Sequence, residues 1–144
     1  MSRSVDWLKR QSRDPYVIER VKRGLNSRSA FKLEELDDKL KFIGKNKKTV
    51  DLGASPGGWT QILLEKGVRD IVAVDLKELP KNLTVDAGGV KFLLGYFTLK
   101  ETQEACLKQM GGKPAVSFII FSCILFLIFD HFSFFHSLKY NTSK

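Results

Sequence analysis

Cysteine is nearly absent from this sequence. Cys106 and Cys123 are the only two in 144 residues, too few and too isolated for a disulfide framework or a zinc site, so no metal is expected. The opening residues, MSRSVDWLKRQSR, contain no apolar core of the kind a secretory signal needs. Nothing matches G-x-x-x-x-G-K-[ST], which excludes a P-loop, and no glycine run has the G-x-G-x-x-G spacing, which disfavours a dinucleotide. The longest uncharged apolar run, residues 115–129, is 15 long, short of the roughly 20 residues that span a bilayer. A membrane partner is therefore not expected.

What is present is a basic soluble chain with material for one core. Hydrophobic residues make up 43% and charged residues 28%, which argues against wholesale disorder. The net charge of +8 is unevenly placed: residues 1–48 hold 14 Lys/Arg against seven Asp/Glu, and the other 96 hold ten against nine. Nearly all the excess precedes the first predicted strand. It reads either as a solvated basic face or as a patch that meets nucleic-acid phosphates.

Periodicity orders the elements. Asp14-Pro15 opens a helix that Gly24 ends, with Val17, Val21 and Leu25 as its apolar stripe. A second helix is predicted from Ser29 to Leu40, with Leu33, Leu36 and Leu40 on one face. Lys32 is expected at the edge of that stripe, roughly 70° from its centre at about 100° per residue. Then the pattern alternates. Lys48–Leu52 reads as a strand, Gly53–Gly58 as a glycine-rich turn, Trp59–Lys66 as a helix and Asp70–Asp75 as an apolar strand. Val90–Leu94 follows as a third strand. Thr98 and Glu101 are read as a capping box for a helix to about Met110, and Ala115–Ile120 as a fourth strand. Continuous apolar strands separated by helices predict a parallel sheet covered on both faces.

The sharpest motif is VDLGASPGGWTQ, residues 50–61. Gly53 leaves a strand, Gly57 and Gly58 are expected to let backbone approach a ligand, and a helix begins at Trp59. Asp75 closes the next strand, where a carboxylate can accept from ribose hydroxyls. Asp51, just ahead of the turn, would repel a pyrophosphate but suits a cationic ligand. The bland reading is a tight turn with no ligand, in which Trp59 is a packed aromatic and Asp75 a cap. Lys32 on the same reading lies along apolar surface.

Three blocks together, Trp7–Val17 (WLKRQSRDPYV), Ser27–Leu36 (SRSAFKLEEL) and Val50–Gln61, resemble the FtsJ-type ribosomal RNA large-subunit 2′-O-ribose methyltransferases. The first block resembles the bacterial and mitochondrial branch. The resemblance covers roughly residues 4–120. It implies an α/β, Rossmann-like methyltransferase fold, here incomplete with about four parallel strands and N-terminal helices, and S-adenosyl-L-methionine as methyl donor. It implies a large-subunit ribosomal RNA or pre-ribosome as substrate, a monomer, and a mitochondrial location in a eukaryote or a cytoplasmic one in a bacterium. The family's first catalytic lysine corresponds to Lys32. Cofactor contacts are assigned to Asp51, Gly53, Ser55, Pro56, Gly57, Gly58, Trp59, Asp75 and Tyr96.

Two departures qualify that resemblance. Where the family has Gly-Asp-Phe after the third strand, this chain has Gly95-Tyr96-Phe97, so Tyr96 replaces a carboxylate. Where it has Ser-Asp-Met-Ala-Pro after the fourth, this chain has Ser122-Cys123-Ile124, and three of four catalytic tetrad positions find no counterpart. From Phe118 onward seven of the 11 Phe occur with no Gly, Ala, Val or Pro. A frameshift or retained intron near residue 121 is the reading preferred over a genuine hydrophobic tail or a membrane anchor. The expected organisation is a basic helical extension (1–48), a partial methyltransferase domain (49–120) and a Phe-rich tail (121–144). The chain alone is expected to be inactive, the rival being a non-catalytic RNA- or cofactor-binding fragment.

Overall fold

The computed structural model describes residues 14–84, 88–111 and 116–121, the last as backbone. The first part of the Trp7 block, Cys123 and the Phe-rich segment from 122 lie outside the described residues. In chain order the elements are α1 (Pro15–Lys22), α2 (Ser29–Leu40), β1 (Lys48–Leu52), α3 (Gly58–Glu65), β2 (Asp70–Asp75), the single-turn α4 (Lys81–Thr84), β3 (Val90–Leu94), α5 (Lys100–Gln109) and β4 (Val116–Phe121).

The four strands form one parallel sheet in the order β3-β2-β1-β4. Strands added after β1 proceed outward on one side through β2 and β3, and then β4 returns to the other side of β1. That reversal is the topological switch point at which open α/β sheets bind ligands, outside the carboxyl ends of the strands. Alternate β2 side chains serve opposite faces, as a pleated strand requires. Ile71 and Ala73 join a core with Ala30, Leu33, Trp59, Ile62 and Leu63. Val72 and Val74 join a second with Val50, Leu52, Cys106 and Met110. The sheet is thus covered by α2 and α3 on one face and by α5 on the other, and the uninterrupted apolar strand follows from that burial. Cys106 is a core residue whose thiol burial pushes up to about 11, which leaves it unreactive.

Three details differ from the sequence reading. The buried side of α2 is Ala30, Leu33 and Asp37, whereas Leu36 and Leu40 are 43% and 68% exposed. The cause is Asp37, which is 5% exposed. Its carboxylate accepts from Lys66 Nζ at 2.6 Å and from the Ile43 amide at 2.9 Å. The burial works against ionisation, but these bonds prevail and hold the carboxyl below its usual range. Centred on that face, Lys32 lies roughly 130° away at about 100° per residue, so it points off the core instead of along its edge. Second, α1 buries none of its residues, and only Leu25 beyond it reaches the core. Third, α5 is preceded by Leu99 with no side-chain cap. Its first residue is Lys100, one position later than a Thr98–Glu101 capping box requires.

These assignments separate two leucines that the periodicity treats alike. Leu33→Ala should cost about 3 kcal/mol, as a fully buried leucine does. Leu36→Ala should cost less than about 1 kcal/mol. Urea denaturation of both variants measures the difference, and equal losses would place the buried stripe where the leucine spacing alone puts it.

Candidate functional site

At the carboxyl end of β1 the chain must leave a buried strand and enter a helix within six residues. Gly53 takes φ 71° and its amide donates to the Val74 carbonyl at 2.9 Å, which keeps the turn beside β2. The Ala54 amide donates to the same carbonyl at 3.2 Å. Ser55 follows, joined to the exposed Pro56 by a cis peptide. Gly57 adopts φ 99°, in the region that favours glycine, and serves as the residue before α3. The steric demand for glycine at 57 and 58 comes from the chain itself. A Cβ on Gly57 would collide with Leu83 Cδ1, and one on Gly58 would stand 2.8 Å from Ser27 Cβ.

Two carboxylates flank this turn. Asp75, at the end of β2 and half-buried, accepts from the Ser55 amide through Oδ2 and from the Lys77 amide through Oδ1, both at 2.9 Å. It therefore fastens the turn to β2 while each oxygen keeps a further lone pair. Asp51 is fully buried in β1. Its Oδ2 accepts from the Thr60 hydroxyl at 2.7 Å, and its Oδ1 has no partner among the described residues. Burial pushes this carboxyl up to about 7; the Thr60 hydrogen bond opposes the shift and the facing charge of Asp75 reinforces it. A second buried polar atom without a partner among the described residues is Asn26 Nδ2. It lies 3.3 Å from the position a Gly57 Cβ would take. The turn is thus bordered by one acceptor that needs a donor and one donor that needs an acceptor. That pairing fits a zwitterionic end such as the methionine end of S-adenosyl-L-methionine.

Next to Asp75 the carboxyl edge is apolar. The Gly95 amide donates to the Asp75 carbonyl at 2.9 Å, so Tyr96 begins the loop beside it. Tyr96 is half-exposed, with its ring 6.2 Å from that of Phe97, and Leu76 is exposed.

Trp59 faces away from this edge. It is 7% exposed within the first core, and its Nε1 donates to the Ser29 carbonyl at 2.7 Å, across to α2. Two residues on, Gln61 Oε1 accepts from the Asn26 backbone amide at 2.7 Å and its Nε2 donates to the Gly24 carbonyl at 3.0 Å. The helix that follows the glycine turn therefore holds the segment that precedes Lys32. Lys32 itself is exposed and lines a cleft of about 530 Å³ with Tyr16, Ser27, Arg28, Ser29, Phe31 and Glu35. None of the glycine-turn residues lines that cleft. Ser27 joins the two, since it borders both the cleft and Gly58. Asn26 lies outside the sequence motifs, and Ser27, Thr60 and Gln61 stand in them without an assigned role, because polar residues on a helix start or loop carry no signal until their partners, up to 37 residues away, are known. Among the described residues no cluster of His, Cys, Asp and Glu could hold a metal ion, and no helix is long and apolar enough to cross a membrane.

Comparison with known proteins places this geometry. The profile of the FtsJ-like methyltransferases matches residues 25–132. A ribosomal RNA large subunit methyltransferase E from Acidiphilium cryptum (strain JF-5) is 45% identical over 112 residues, covering 78% of this chain and 47% of that protein. Its counterpart from Gluconobacter oxydans (strain 621H) is 46% identical over 110 residues, covering 76% and 38%. The crystal structure of a protein described as a ribosomal RNA methyltransferase from Plasmodium falciparum superposes with a TM-score of 0.58 at 28% identity, over 75% of this chain and 61% of that one. The chain spans less than half the length of these two curated relatives. With the profile matched over more than half of its residues, the chain belongs to the FtsJ-like methyltransferase family.

Proposed function

We propose that the chain holds S-adenosyl-L-methionine across the carboxyl ends of β1, β2 and β3, as the donor half of a ribosomal RNA 2′-O-ribose methyltransferase. The observation that carries this reading is the buried, half-satisfied carboxylate of Asp51 beside the glycine turn. A carboxylate costs much to bury without a partner, and a cationic ligand supplies the partner. When bound, the cofactor provides an electrophilic methyl on a sulfonium.

The chain's own groups then have distinct work. Gly53, Ser55, Pro56, Gly57 and Gly58 form the turn that borders the methionine end, with Asp51 and Asn26 facing it. Asp75, already fixed by two backbone amides, offers its remaining lone pairs to ribose hydroxyls. Leu76 and Tyr96 present apolar surface to the base, with Tyr96 in place of the family's carboxylate. Trp59 is a positioning residue that sets α2 against the turn. The Lys32 amine, free on the rim of its cleft, orients or deprotonates the attacking 2′-hydroxyl. The family supplies the rest of that tetrad beyond β4, and Ser122-Cys123-Ile124 does not reproduce it. The 144 residues alone are therefore read as binding cofactor without turnover.

Calorimetry with S-adenosyl-L-methionine should show binding that Asp75→Asn weakens about tenfold, as expected for a charged hydrogen-bond acceptor. In a labelled-methyl assay on large-subunit ribosomal RNA, incorporation should stay at background. Turnover there would overturn the inactive reading, and a flat titration would overturn the cofactor reading.

Asp51 provides a check through protons. Its folded-state pKa is raised to about 7, so the fold favours the neutral acid. The stability it contributes is full below the ordinary carboxylate range and is lost as pH rises through about 7. Urea midpoints of Asp51→Asn should not show this decline. A cationic ligand favours the ionised form, so binding near pH 7 should release a proton, visible as a buffer-dependent heat that Asp51→Asn abolishes. Buffer-independent heats in the unsubstituted chain would remove Asp51 from the ligand's surroundings.

A further inference from the structure

Charge at the amino ends of the strands is arranged in two layers, and the inner one is closed. Lys48 opens β1; its Nζ donates to the Met110 carbonyl at 2.8 Å and approaches Asp70 at 3.8 Å. Lys91, second in β3, donates to the Gln109 carbonyl at 2.9 Å and to Asp70 Oδ1 at 3.3 Å. The two lysines thus cover the last carbonyls of α5, where a helix dipole favours cations. Asp70 between them is balanced, so neither it nor the helix end repels an anion that approaches from outside.

The outer layer is open. It consists of Lys45, Arg69 and Lys108, all exposed and all without a carboxylate partner among the described residues. Lys45 precedes β1, and its stem lies over Gly67, with Cγ 3.2 Å from the position a Cβ there would take. It therefore stands beside the turn that leads into β2. Arg69 ends that turn, and its Nη1 donates to the Leu64 and Val68 carbonyls at 3.1 and 3.3 Å. One arm of the guanidinium is fixed to the end of α3, while its other N–H donors have no partner among the described residues. A guanidinium held in this way loses little further freedom when it meets an anion. Lys108 adds a charge from the last turn of α5. The opposite edge of the sheet holds Asp51 and Asp75, so the two ends differ in sign.

We propose that the amino edge of the sheet is a second RNA-contact surface, remote from the donor crevice, at which Arg69 and Lys45 meet backbone phosphates. The inference rests on the RNA-substrate reading above, which selects RNA among polyanions. None of the three outer cations lines the Lys32 cleft. Strands of five or six residues, rising about 3.3 Å each, put this edge roughly 16–20 Å from the donor crevice. A folded ribosomal RNA reaches both ends of a domain of that size. Cations without carboxylate partners release counterions on contact with phosphate, and such contacts set register and orientation without reading sequence. The surface therefore adds affinity at one end of the sheet while the chemistry stays at the other.

The test is fluorescence anisotropy of the full chain with a labelled stem-loop of large-subunit ribosomal RNA, over a range of salt. Lys45→Glu/Arg69→Glu should weaken binding roughly tenfold and lower the logarithmic salt slope by about 1.5, as two lost phosphate contacts require. Lys81→Glu/Lys100→Glu makes the same change of net charge at the carboxyl edge and should shift affinity less than about twofold. Lys45→Glu/Lys108→Glu repeats the test without touching the Arg69 bonds to α3, and circular dichroism checks the fold of each variant. Equal losses at the two edges report bulk charge and overturn the surface. Unchanged binding in both amino-edge variants overturns it too and leaves the RNA reading standing. Polyglutamate binding that depends on Lys45 and Arg69, with RNA binding indifferent to them, assigns the edge to an acidic protein and overturns RNA as its occupant. No RNA binding by the unsubstituted chain, with cofactor binding intact, overturns both readings.

Discussion

The clip between α3 and the segment before α2 is the interaction on which the site depends. Three side-chain hydrogen bonds make it: Trp59 to the Ser29 carbonyl, and Gln61 to the Asn26 amide and the Gly24 carbonyl. The two Gln61 bonds reach backbone groups of the loop between α1 and α2, which have no intrahelical partners, and the Trp59 bond adds a donor to a carbonyl in the first turn of α2. They also tie the residues that follow the glycine turn to those that precede Lys32. Movement of the turn is thereby movement of the cleft. Shape at Gly58 enforces the same register, because a side chain there would begin inside Ser27.

The two aspartates at the strand ends show why the turn is built as it is. Asp75 spends its bonds on the backbone amides of Ser55 and Lys77 and so determines where the turn lies. Asp51 lies beneath it, takes one bond from Thr60, and keeps one oxygen unsatisfied. Burial of a carboxylate in this state opposes folding at neutral pH. A protein retains such a group where a ligand compensates for it, and strain of this kind concentrates at functional sites. Gly57 and Gly58 also let the chain pack against Leu83 and Ser27, while the amides of Ala54 and Ser55 ahead of them are spent on Val74 and Asp75.

The sheet was legible because its signal is local. The predicted limits of β1, β2 and β3 agree with the structure, since each is a short β-prone segment bounded by glycine or charged turns, and β2 is apolar throughout its interior. The face of α2 was not legible. Leucine spacing at 33, 36 and 40 suggested one stripe, but the burial of Asp37 turns the helix, and its partner Lys66 is 29 residues away. The consequence reaches the site, because it swings Lys32 off the core edge and into the open cleft. Trp59 was ambiguous for a related reason. Its position in the motif fits both a ligand contact and a packed ring, and only the bond to Ser29 displays the structural half of its role.

Net charge is the quantity most easily misread from such a sequence. The N-terminal excess of basic residues suggests a broad patch, but several of those charges are already spent. Arg23 is neutralised by Glu34 and Glu65 and is held more firmly protonated by them. Lys41 pairs with Asp38, and Lys48 approaches Asp70. Exposed pairs of this sort contribute little stability each, yet they divert charge from any polyanion. The basic groups facing the cleft are Arg28, itself paired with Asp14, and Lys32, with Glu35 opposing them. Two cations beside Tyr16 and Phe31 cannot hold a duplex by electrostatics alone. Under the function proposed above, charge at this cleft orients a substrate more than it supplies affinity, which is what chemistry at one hydroxyl needs.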